Sequence, residues 1–327
     1  FGGMKIQANP FTIFRAASKW RPLPRALFRL VSPIIDRLSG LSTLGEGYRF
    51  VTTHGLPCKD SVDFLTRIHR HFGIRIHVRD ESISRIPKSG PLVVVANHPF
   101  GGIEATTLLC TLANVRTDVK FMANFILGSV PETSDFCVYV NPFGGEHAAR
   151  HNMQSLREAI EWVQKGGVLC LFPSGTVSHF HPRSRQITDP VWSATSARVI
   201  RKTAAPVLPV FFSGRNGWIF QAAGLLHPLL RTALLPREFV NKKNSEIRLK
   251  VGNLIPFEKL NSYASDEELI TYLRLRTYIL GNERGKLNTP TFADRSRIKQ
   301  MLGPMPGKRK VERIAPPCIP AILAAEV

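Results

Sequence analysis

The run from Leu92 to Ala96 is the feature that most constrains the fold of this chain. It consists of five consecutive apolar residues, three of them valines, and it has the length and β-branched content of a strand that is buried on both faces. Gly101 and Gly102 follow closely and permit a tight turn before a helical stretch at 103–113. A doubly buried strand that leads through a turn into a helix indicates a parallel sheet covered by helices.

The same alternation of strands and helices continues along the chain and predicts the α/β class. We expect a mostly parallel central sheet flanked by helices, with an amphipathic helical N-terminal region. Ser265 and Glu268 form a capping-box pattern at the start of a final helix that ends near Gly281. The predicted strands lie at 74–78, 91–96, 118–123, 136–140, 168–172, 206–213 and 247–251, and the other predicted helices at 61–72, 103–113 and 148–164.

We divide the chain into a basic, helical N-terminal region at 1–73, an α/β core at 74–258, and a C-terminal helix with a loosely ordered tail at 259–327. In the first region, apolar residues recur with helical spacing at 24–39, and arginines fall elsewhere around the helix. A basic amphipathic helix of this kind lies in a membrane interface. The same stripe could instead pack against the protein core, and the sequence leaves both alternatives open.

His98 follows the predicted strand at 91–96, and Glu104 stands six positions later, at the start of the predicted helix at 103–113. The two side chains can therefore meet at the mouth of the strand. An imidazole, with an ordinary pKa of about 6.5, can take a proton from an alcohol at neutral pH, and a carboxylate on its other nitrogen fixes the tautomer. The pair thus indicates activation of a hydroxyl group. A hydrogen-bonded loop histidine and a solvated acid in a first helical turn would need no such role.

Two further apolar runs end in polar turns, at 168–176 and 206–216. Open α/β sheets bind ligands at the carboxyl ends of their strands, so the three turns together predict one site. Nearby arginines are candidate anion contacts, because a guanidinium pairs bidentately with phosphate or carboxylate. Beside the catalytic pair, the candidate substrate-binding residues are Asn97, Gly101, Gly102, Phe172, Pro173, Ser174, Gly175, Arg150, Arg215 and Asn216.

These blocks resemble the glycerolipid acyltransferases related to bacterial lysophosphatidate acyltransferase. Asn97-His98 with its following acid looks like the family's catalytic block, which is usually His, four residues, then Asp. Residues 172–176, Phe-Pro-Ser-Gly-Thr, look like its Phe-Pro-Glu-Gly-Thr block. The stretch 207–210 is similar to its later proline-containing strand, and the order and spacing agree across roughly residues 75–258.

The chain departs from the family pattern at the two blocks themselves. Five residues separate His98 from its acid, the acid is Glu104, and Ser174 stands where the family usually has Glu. These departures resemble a bacterial subgroup often labelled hemolysin-like, which includes enzymes that O-acylate lyso-ornithine lipids and related aminolipids. The subgroup resemblance also rests on Asp118-Val119-Lys120, Asp189-Pro190-Val191-Trp192, Gly214-Arg215-Asn216 and Arg237-Glu238-Phe239.

The resemblance implies direct transfer of a fatty acyl group from a thioester to the hydroxyl of a lyso-lipid at a membrane surface. His98 would act as the base, Glu104 would orient it, and backbone amides near Gly101 and Gly175 would stabilise the oxyanion. The donor would be a thioester of acyl carrier protein or of coenzyme A, with no cofactor and no metal. A lyso-aminolipid such as lyso-ornithine lipid is the favoured acceptor, and lysophosphatidate, the acceptor in phospholipid synthesis, is the alternative.

The charge of the chain fits such a reaction without selecting it. Lys and Arg number 44 against 24 Asp and Glu, a net charge of +20, which attracts anionic lipids, an acidic carrier protein or nucleic acid. A nucleic-acid binder predicts clustered basic residues interleaved with exposed aromatics, whereas many of the 20 phenylalanines fall in apolar strand runs. A non-catalytic lipid-binding relative would have lost His98 and Glu104. We therefore expect an anionic membrane surface as a partner, and no nucleic acid.

The sequence also bears on location and on metals. It contains no stretch of the about 20 mostly apolar residues that a spanning helix needs, so we expect peripheral association with the cytoplasmic face of the inner membrane. A metal site built from Cys170, His179 and His181 would lack a ligand to complete a tetrahedral set. The five cysteines form neither a close pair nor metal-ligand spacing, as in a reducing compartment: Cys58, Cys110, Cys137, Cys170 and Cys318.

Overall fold

The computed structural model describes residues 38–54, 56–141 and 146–281. The elements before residue 165 are α1 (Leu41–Thr53), α2 (Ser61–His71), β1 (Arg75–His77), α3 (Asp80–Ile83), β2 (Leu92–Ala96), α4 (Gly102–Leu112), β3 (Val119–Asn124), two short 3₁₀ helices (Phe125–Ser129 and Pro131–Phe136), β4 (Cys137–Val140) and α5 (Glu146–Gln164). The later elements are β5 (Val168–Leu171), β6 (His179–His181), β7 (Gln186–Thr188), α6 (Ala194–Thr203), β8 (Val207–Ser213), α7 (Trp218–Leu226), α8 (Pro228–Ala233), α9 (Leu235–Val240), β9 (Glu246–Val251), α10 (Phe257–Asn261) and α11 (Asp266–Ile279).

Seven of these strands form one sheet in the order β1-β9-β8-β2-β5-β3-β4. Strands β8, β2, β5, β3 and β4 run parallel, β9 is antiparallel to β8, and β1 is parallel to β9. Strands β6 and β7 form a separate antiparallel hairpin. The predicted α/β class, with a mostly parallel central sheet, is confirmed. The carboxyl ends of β5, β2 and β8 lie side by side at one edge of the sheet, with β2 in the middle.

The burial of β2 explains why its sequence is apolar throughout. Leu92, Val94 and Ala96 pack in one apolar cluster with residues of α1, α2 and α4, whereas Val93 and Val95 pack in a second cluster with residues of α5, α6 and α11. All five side chains are 0% exposed. Because successive side chains of a strand point to opposite faces, a run without polar residues requires helices on both sides of the sheet.

The predicted elements of the core agree closely with the structure. The seven predicted strands and the helices predicted at 61–72, 103–113, 148–164 and 265–281 are all present, with ends shifted by two residues at most. Between β5 and β8, where the sequence predicted no strand or helix, the structure has the β6–β7 hairpin and α6. The sequence of α6 mixes Ser, Thr and Arg with few apolar residues, and the burial of Ala197, Val199 and Ile200 holds the helix in place.

The predicted N-terminal stripe at 24–39 lies outside the described residues except for its last two, of which Leu38 is exposed. Helix α1, which the sequence did not predict, begins directly after Gly40. Tyr48 of α1 and Phe64 of α2 are buried in the same cluster as β2, and Leu269 of α11 is buried in the cluster on the other face. Both terminal helical segments thus pack on the core, and the proposed boundaries after 73 and 258 stay predictions.

Candidate active site

Asn97 fixes the end of β2 to β8. Its Nδ2 donates to the carbonyl oxygen of Phe212 at 3.0 Å, and the N–H of Phe212 donates to its Oδ1 at 2.7 Å. The side chain is buried, so these two bonds supply partners for both ends of the amide. Asn97, which the sequence suggested as a substrate contact, therefore fixes the position of the chain immediately before His98.

Asp189 holds the backbone of His98 from another direction. The N–H of His98 donates to Oδ1 of Asp189 at 3.1 Å, and the N–H of Ser178 donates to the carbonyl oxygen of His98 at 2.7 Å. The Ser178 hydroxyl also donates to Oδ1 of Asp189, and Nε1 of Trp192 donates to Oδ2 at 2.9 Å. Hydrogen bonds to an ionised carboxylate are stronger than neutral ones. The buried Asp189 thus fixes where His98 leaves the strand.

The C-terminal helix α11 supports Asp189 in turn. The hydroxyl of Tyr278 accepts the N–H of Asp189 at 2.9 Å, and the guanidinium of Arg274 donates to the carbonyl oxygen of Asp189 at 3.0 Å. The same guanidinium lies 5.0 Å from the centre of the Tyr278 ring, a cation–π arrangement. The loop that carries Asp189 is therefore attached to α11 through its backbone, and α11 is attached to the sheet through its apolar face.

His98 and Glu104 meet as the sequence predicts. Nδ1 of His98 lies 2.6 Å from Oε1 of Glu104, whose side chain is 0% exposed, whereas the His98 side chain keeps 18% of its surface exposed. The same Oε1 accepts the N–H groups of Phe100 at 3.0 Å and Gly101 at 2.9 Å. Because Nδ1 faces the carboxylate, the other ring nitrogen, Nε2, is the one left to meet a substrate.

Glu104 occupies a position that favours its negative charge. It lies in the first turn of α4, where the helix dipole and unpaired N–H groups favour an anion. Gly101, directly before the helix, has φ of +112°, a conformation that side chains disfavour. A Cβ at Gly101 would lie 2.8 Å from Cδ2 of Leu235. The glycine therefore lets the chain turn sharply enough to bring the carboxylate back to His98.

Opposing effects set the pKa of His98. Burial lowers this pKa, whereas the charge of Glu104, its hydrogen bond to the ring, and the charge of Asp189 raise it. The pKa of His98 lies above its ordinary value as a result. The two carboxylates thus stabilise the imidazolium that forms when His98 accepts a proton.

The ring of Phe172 packs against the imidazole ring of His98. Its ring centre lies 4.5 Å from that of His98, and the two planes are inclined by 22°, so the rings are stacked. Phe172 directly follows β5. Its neighbour Pro173 is buried, and the carbonyl oxygen of Pro173 accepts the N–H of Ser193 at 2.8 Å. His98 is therefore held by Glu104 at its Nδ1 edge and by Phe172 on its face, and the turn after β5 is fixed beside it.

The turn at Ser174 and Gly175 is stabilised by internal bonds. The hydroxyl of Ser174 donates to the carbonyl oxygen of Thr176 at 2.9 Å, and the N–H of Gly175 donates to the carbonyl oxygen of Phe172 at 3.0 Å. The N–H of Gly101 is bonded to Glu104 as well. The amides of Gly101 and Gly175 thus have acceptors within the protein, and the oxyanion donors expected near these two glycines stay a prediction.

Of the remaining candidate substrate-binding residues, some lie near His98 and one does not. Nδ2 of the buried Asn216 donates to the carbonyl oxygen of Phe100 at 3.0 Å, which places the turn after β8 against the His98 loop. Arg215 and Gly102 are exposed in the same region. Arg150 is exposed on α5, which follows the edge strand β4, three strands away from β2. As substrate contacts, all of these stay predictions.

The described residues also bear on metal binding and on membrane insertion. They contain no group of three or more His, Cys, Asp or Glu side chains arranged to hold a metal ion. Cys58, Cys110, Cys137 and Cys170 are free thiols. Within the same residues, no helix combines the length and apolarity that crossing a membrane requires.

Comparison with known proteins gives one family match. Residues 44–286, which include His98, Glu104 and Asp189, match the sequence model of a family described as Acyltransferase. The chain is also 24% identical over 230 residues to a lyso-glycine lipid O-acyltransferase of Bacteroides thetaiotaomicron, an alignment that covers 68% of this chain and 81% of that protein. It is 21% identical over 233 residues to the enzyme with the same name from Phocaeicola vulgatus, covering 68% of this chain and 79% of that protein.

Among solved structures, the chain is similar to the crystal structure of the 1-acyl-sn-glycerophosphate (LPA) acyltransferase PlsC from Thermotoga maritima. The superposition has a TM-score of 0.45 and 18% sequence identity, and it covers 80% of this chain and 93% of that chain.

Proposed function

This chain belongs to the acyltransferase family, and we propose that it transfers a fatty acyl group from a thioester to the hydroxyl of a lyso-aminolipid. The observation that carries the proposal is the contact of 2.6 Å between His98 Nδ1 and Glu104 Oε1 at the open edge of the sheet. It leaves one imidazole nitrogen to act as a base toward an alcohol.

The reaction follows from this arrangement. Nε2 of His98 takes the proton of the acceptor hydroxyl while the oxygen attacks the carbonyl carbon of the thioester. The tetrahedral intermediate then collapses, the carbon–sulfur bond breaks, and the imidazolium returns its proton to the leaving thiolate. The products are an ester and a free thiol, so the step needs no oxidant or reductant. Glu104 keeps the proton of His98 on Nδ1 in the resting state and stabilises the positive ring.

The acceptor is proposed from two observations. The relatives with curated names act, by those names, on lyso-glycine lipid, and the resemblance to the lyso-ornithine subgroup points to an aminolipid too. In the family block, the Glu at the position of Ser174 belongs to the site that handles the glycerol phosphate acceptor. Here the side chain is neutral and bonded to Thr176. We therefore favour a lyso-aminolipid, such as lyso-ornithine or lyso-glycine lipid, over lysophosphatidate.

The donor and the location complete the proposal. A thioester of acyl carrier protein or of coenzyme A would serve, and the net charge of +20 attracts either one because both are anions. The same charge favours peripheral binding to an anionic membrane surface. We place the enzyme at the cytoplasmic face of the inner membrane, where acyl thioesters and lyso-lipids meet.

The decisive experiment is an acyl-transfer assay with defined lipids. The purified protein would be incubated with acyl carrier protein and coenzyme A thioesters and with lyso-ornithine, lyso-glycine and lysophosphatidate acceptors, and the products read by mass spectrometry. We expect an acylated aminolipid from the wild-type protein and at least about a hundredfold less from His98→Ala. Preferential acylation of lysophosphatidate would assign the enzyme to phospholipid synthesis instead, and absence of any product would contradict the proposal.

A further inference from the structure

The segment 216–230 carries an exposed apolar surface that the reaction does not use. It contains no Asp, Glu, Lys or Arg over fifteen residues, and it comprises α7 and the first half of α8. Trp218 is 78% exposed, Leu226 81% and Leu225 56%, and α8 buries none of its side chains. Five of the thirteen exposed large apolar side chains in the described part of the chain lie here: Trp218, Leu225, Leu226, Leu229 and Leu230. We call these five the leucine patch.

The leucine patch belongs to an anchored element. Phe220 is fully buried, and the side chain of Gln221 accepts the N–H of Phe180 at 2.8 Å. The N–H of Gly217 donates to Glu238 at 2.9 Å. One face of α7 is therefore attached to the protein, while the opposite face presents leucines and a tryptophan to solvent. Exposed apolar surface on an anchored element marks an interaction site.

The leucine patch lies beside the mouth of the active site. Asn216, at the start of the segment, donates to the carbonyl oxygen of Phe100, two residues beyond His98. Five residues beyond its other end, Cδ2 of Leu235 lies 2.8 Å from the position that a Cβ on Gly101 would occupy. Between them, the guanidinium of Arg231 lies 3.4 Å from the hydroxyl of Thr176, in the turn that follows Phe172.

Positive charges flank this apolar segment along the chain. Between residues 215 and 245 the only acidic residue is Glu238, which is buried and bonded to Gly217. The same stretch contains five basic residues. Arg215 and Lys243 have exposed side chains, and Arg231, Arg237 and Lys242 are partly exposed. An apolar surface bordered by cations matches a bilayer interface, where acyl chains lie beneath anionic phosphates.

We propose that the leucine patch is the docking surface through which the enzyme enters an anionic lipid leaflet, placing His98 at the headgroup level of its acceptor. The inference rests on the proposed function, because a lyso-lipid acceptor resides in that leaflet. Tryptophan at the rim suits the interface, since its ring is apolar and its N–H is polar. An acidic carrier protein would pair with the arginines but would leave the leucines in water.

Vesicle flotation of the full chain tests the proposal. The variant with Leu225, Leu226, Leu229 and Leu230 all changed to Ser should bind vesicles of phosphatidylcholine and phosphatidylglycerol in equal parts about tenfold more weakly or worse than wild type. The matched control changes four exposed apolar residues elsewhere, Leu56, Leu254, Leu275 and Ile279, to Ser, and it should float like wild type. A patch variant that floats like wild type would overturn the proposal.

Two further measurements keep the result unambiguous. If the quadruple variant melts at a lower temperature than wild type, the double variant Trp218→Ser, Leu226→Ser replaces it. Both of these side chains are about four-fifths exposed, so they contribute little packing. Wild-type flotation by this folded double variant would also overturn the proposal. Light scattering tests whether a second copy of the chain covers the leucine patch. If the wild-type protein is a dimer, the patch variant is a monomer and both float equally, the partner of the patch is a second copy rather than lipid.

Activity separates this inference from the proposed function. The patch variant should acylate a short-chain, water-soluble lyso-lipid at the wild-type rate and lose activity only on a vesicle-borne acceptor. If wild-type protein acylates neither acceptor, the proposed function fails, and flotation still decides whether the leucine patch binds lipid. Equal loss on both acceptors would show that the patch serves catalysis rather than docking.

Discussion

The carboxylate of Asp189 accepts the backbone N–H of His98 at 3.1 Å, so the proposed catalytic base is held by a second carboxylate in addition to Glu104. Glu104 contacts the ring and Asp189 holds the main chain. Both negative charges raise the pKa of His98. Removing either one therefore has a distinct, measurable consequence.

Removal of the base itself gives the first prediction. His98→Ala should slow acyl transfer by about a hundred- to ten-thousand-fold, because general-base assistance is typically of this size. Glu104→Gln should be severely impaired, since it keeps the shape but loses the charge that stabilises the imidazolium. Initial rates with the preferred acceptor measure both effects, and circular dichroism controls for folding. Near wild-type turnover by folded His98→Ala would contradict the mechanism.

Asp189→Asn tests the positioning role. The change removes a charge and puts an amide N–H donor where three N–H or O–H donors now face the carboxylate. Because one of the three is the N–H of His98, His98 should be misplaced, and we expect kcat to fall by about ten- to a hundred-fold. The pKa of His98 should also fall, because the charge of Asp189 raises it. The pH dependence of kcat/KM reports that shift.

Asp118→Asn is the matched control for this experiment. Asp118 pairs with the buried Arg116 through Nε at 2.9 Å, before the start of β3 and thus at the opposite edge of the sheet from His98. Asp118→Asn should lower the melting temperature without changing the pH dependence of kcat/KM. Identical pH profiles for wild type and Asp189→Asn would show that Asp189 is structural only.

The pH dependence of the wild-type enzyme follows from the raised pKa of His98. The base must be neutral to accept a proton, so kcat/KM should fall as the pH drops through a value above about 6.5. Glu104→Gln should move this limb to lower pH, because it removes the charge that raises the pKa most. A limb at or below the ordinary value in wild type would contradict the electrostatic argument.

The same shift affects stability in a defined direction. A folded-state pKa above the unfolded value of about 6.5 means that the contribution of His98 to the free energy of unfolding is fully present below that pH. It is lost as the pH rises through the folded-state pKa. The difference in unfolding free energy between wild type and His98→Gln, from urea denaturation, should therefore shrink as the pH increases.

The parts of the molecule that could be predicted from sequence are those with local signals. Leu92–Ala96 is apolar because both sheet faces are covered, and Glu104 meets His98 because one turn with Gly101 joins them. Asp189 could not be given its role, because 91 positions separate it from His98 and only the fold brings it there. The leucine patch eluded prediction for a different reason: apolar helical spacing indicates burial, whereas here the apolar side chains face solvent.

Ser174 offers a test of acceptor choice. We expect wild-type protein to acylate a lyso-aminolipid faster than lysophosphatidate in the same mixed micelles, and Ser174→Glu, which restores the residue usual in the family, to shift the ratio of rates toward lysophosphatidate. Ser174→Ala removes the hydroxyl bond to Thr176 without adding charge and serves as the control. Unchanged ratios in Ser174→Glu would show that this position does not select the headgroup.

Gly101 provides the final prediction, because its backbone N–H connects the turn to the carboxylate of Glu104. Gly101 has φ of +112° and Gly166 has φ of +98°, so an alanine at either position is strained by about 1–2 kcal/mol. Around Gly166 a Cβ would meet nothing within 4 Å, whereas at Gly101 it would meet Leu235 at 2.8 Å. Both alanine variants should therefore lose stability in thermal melts. Only Gly101→Ala should also lose acyl transfer, because the amide of Gly101 holds Oε1 of Glu104 and a shifted turn moves that oxygen away from His98. Equal activity of the two folded variants would show that the turn at Gly101 is not what positions the carboxylate.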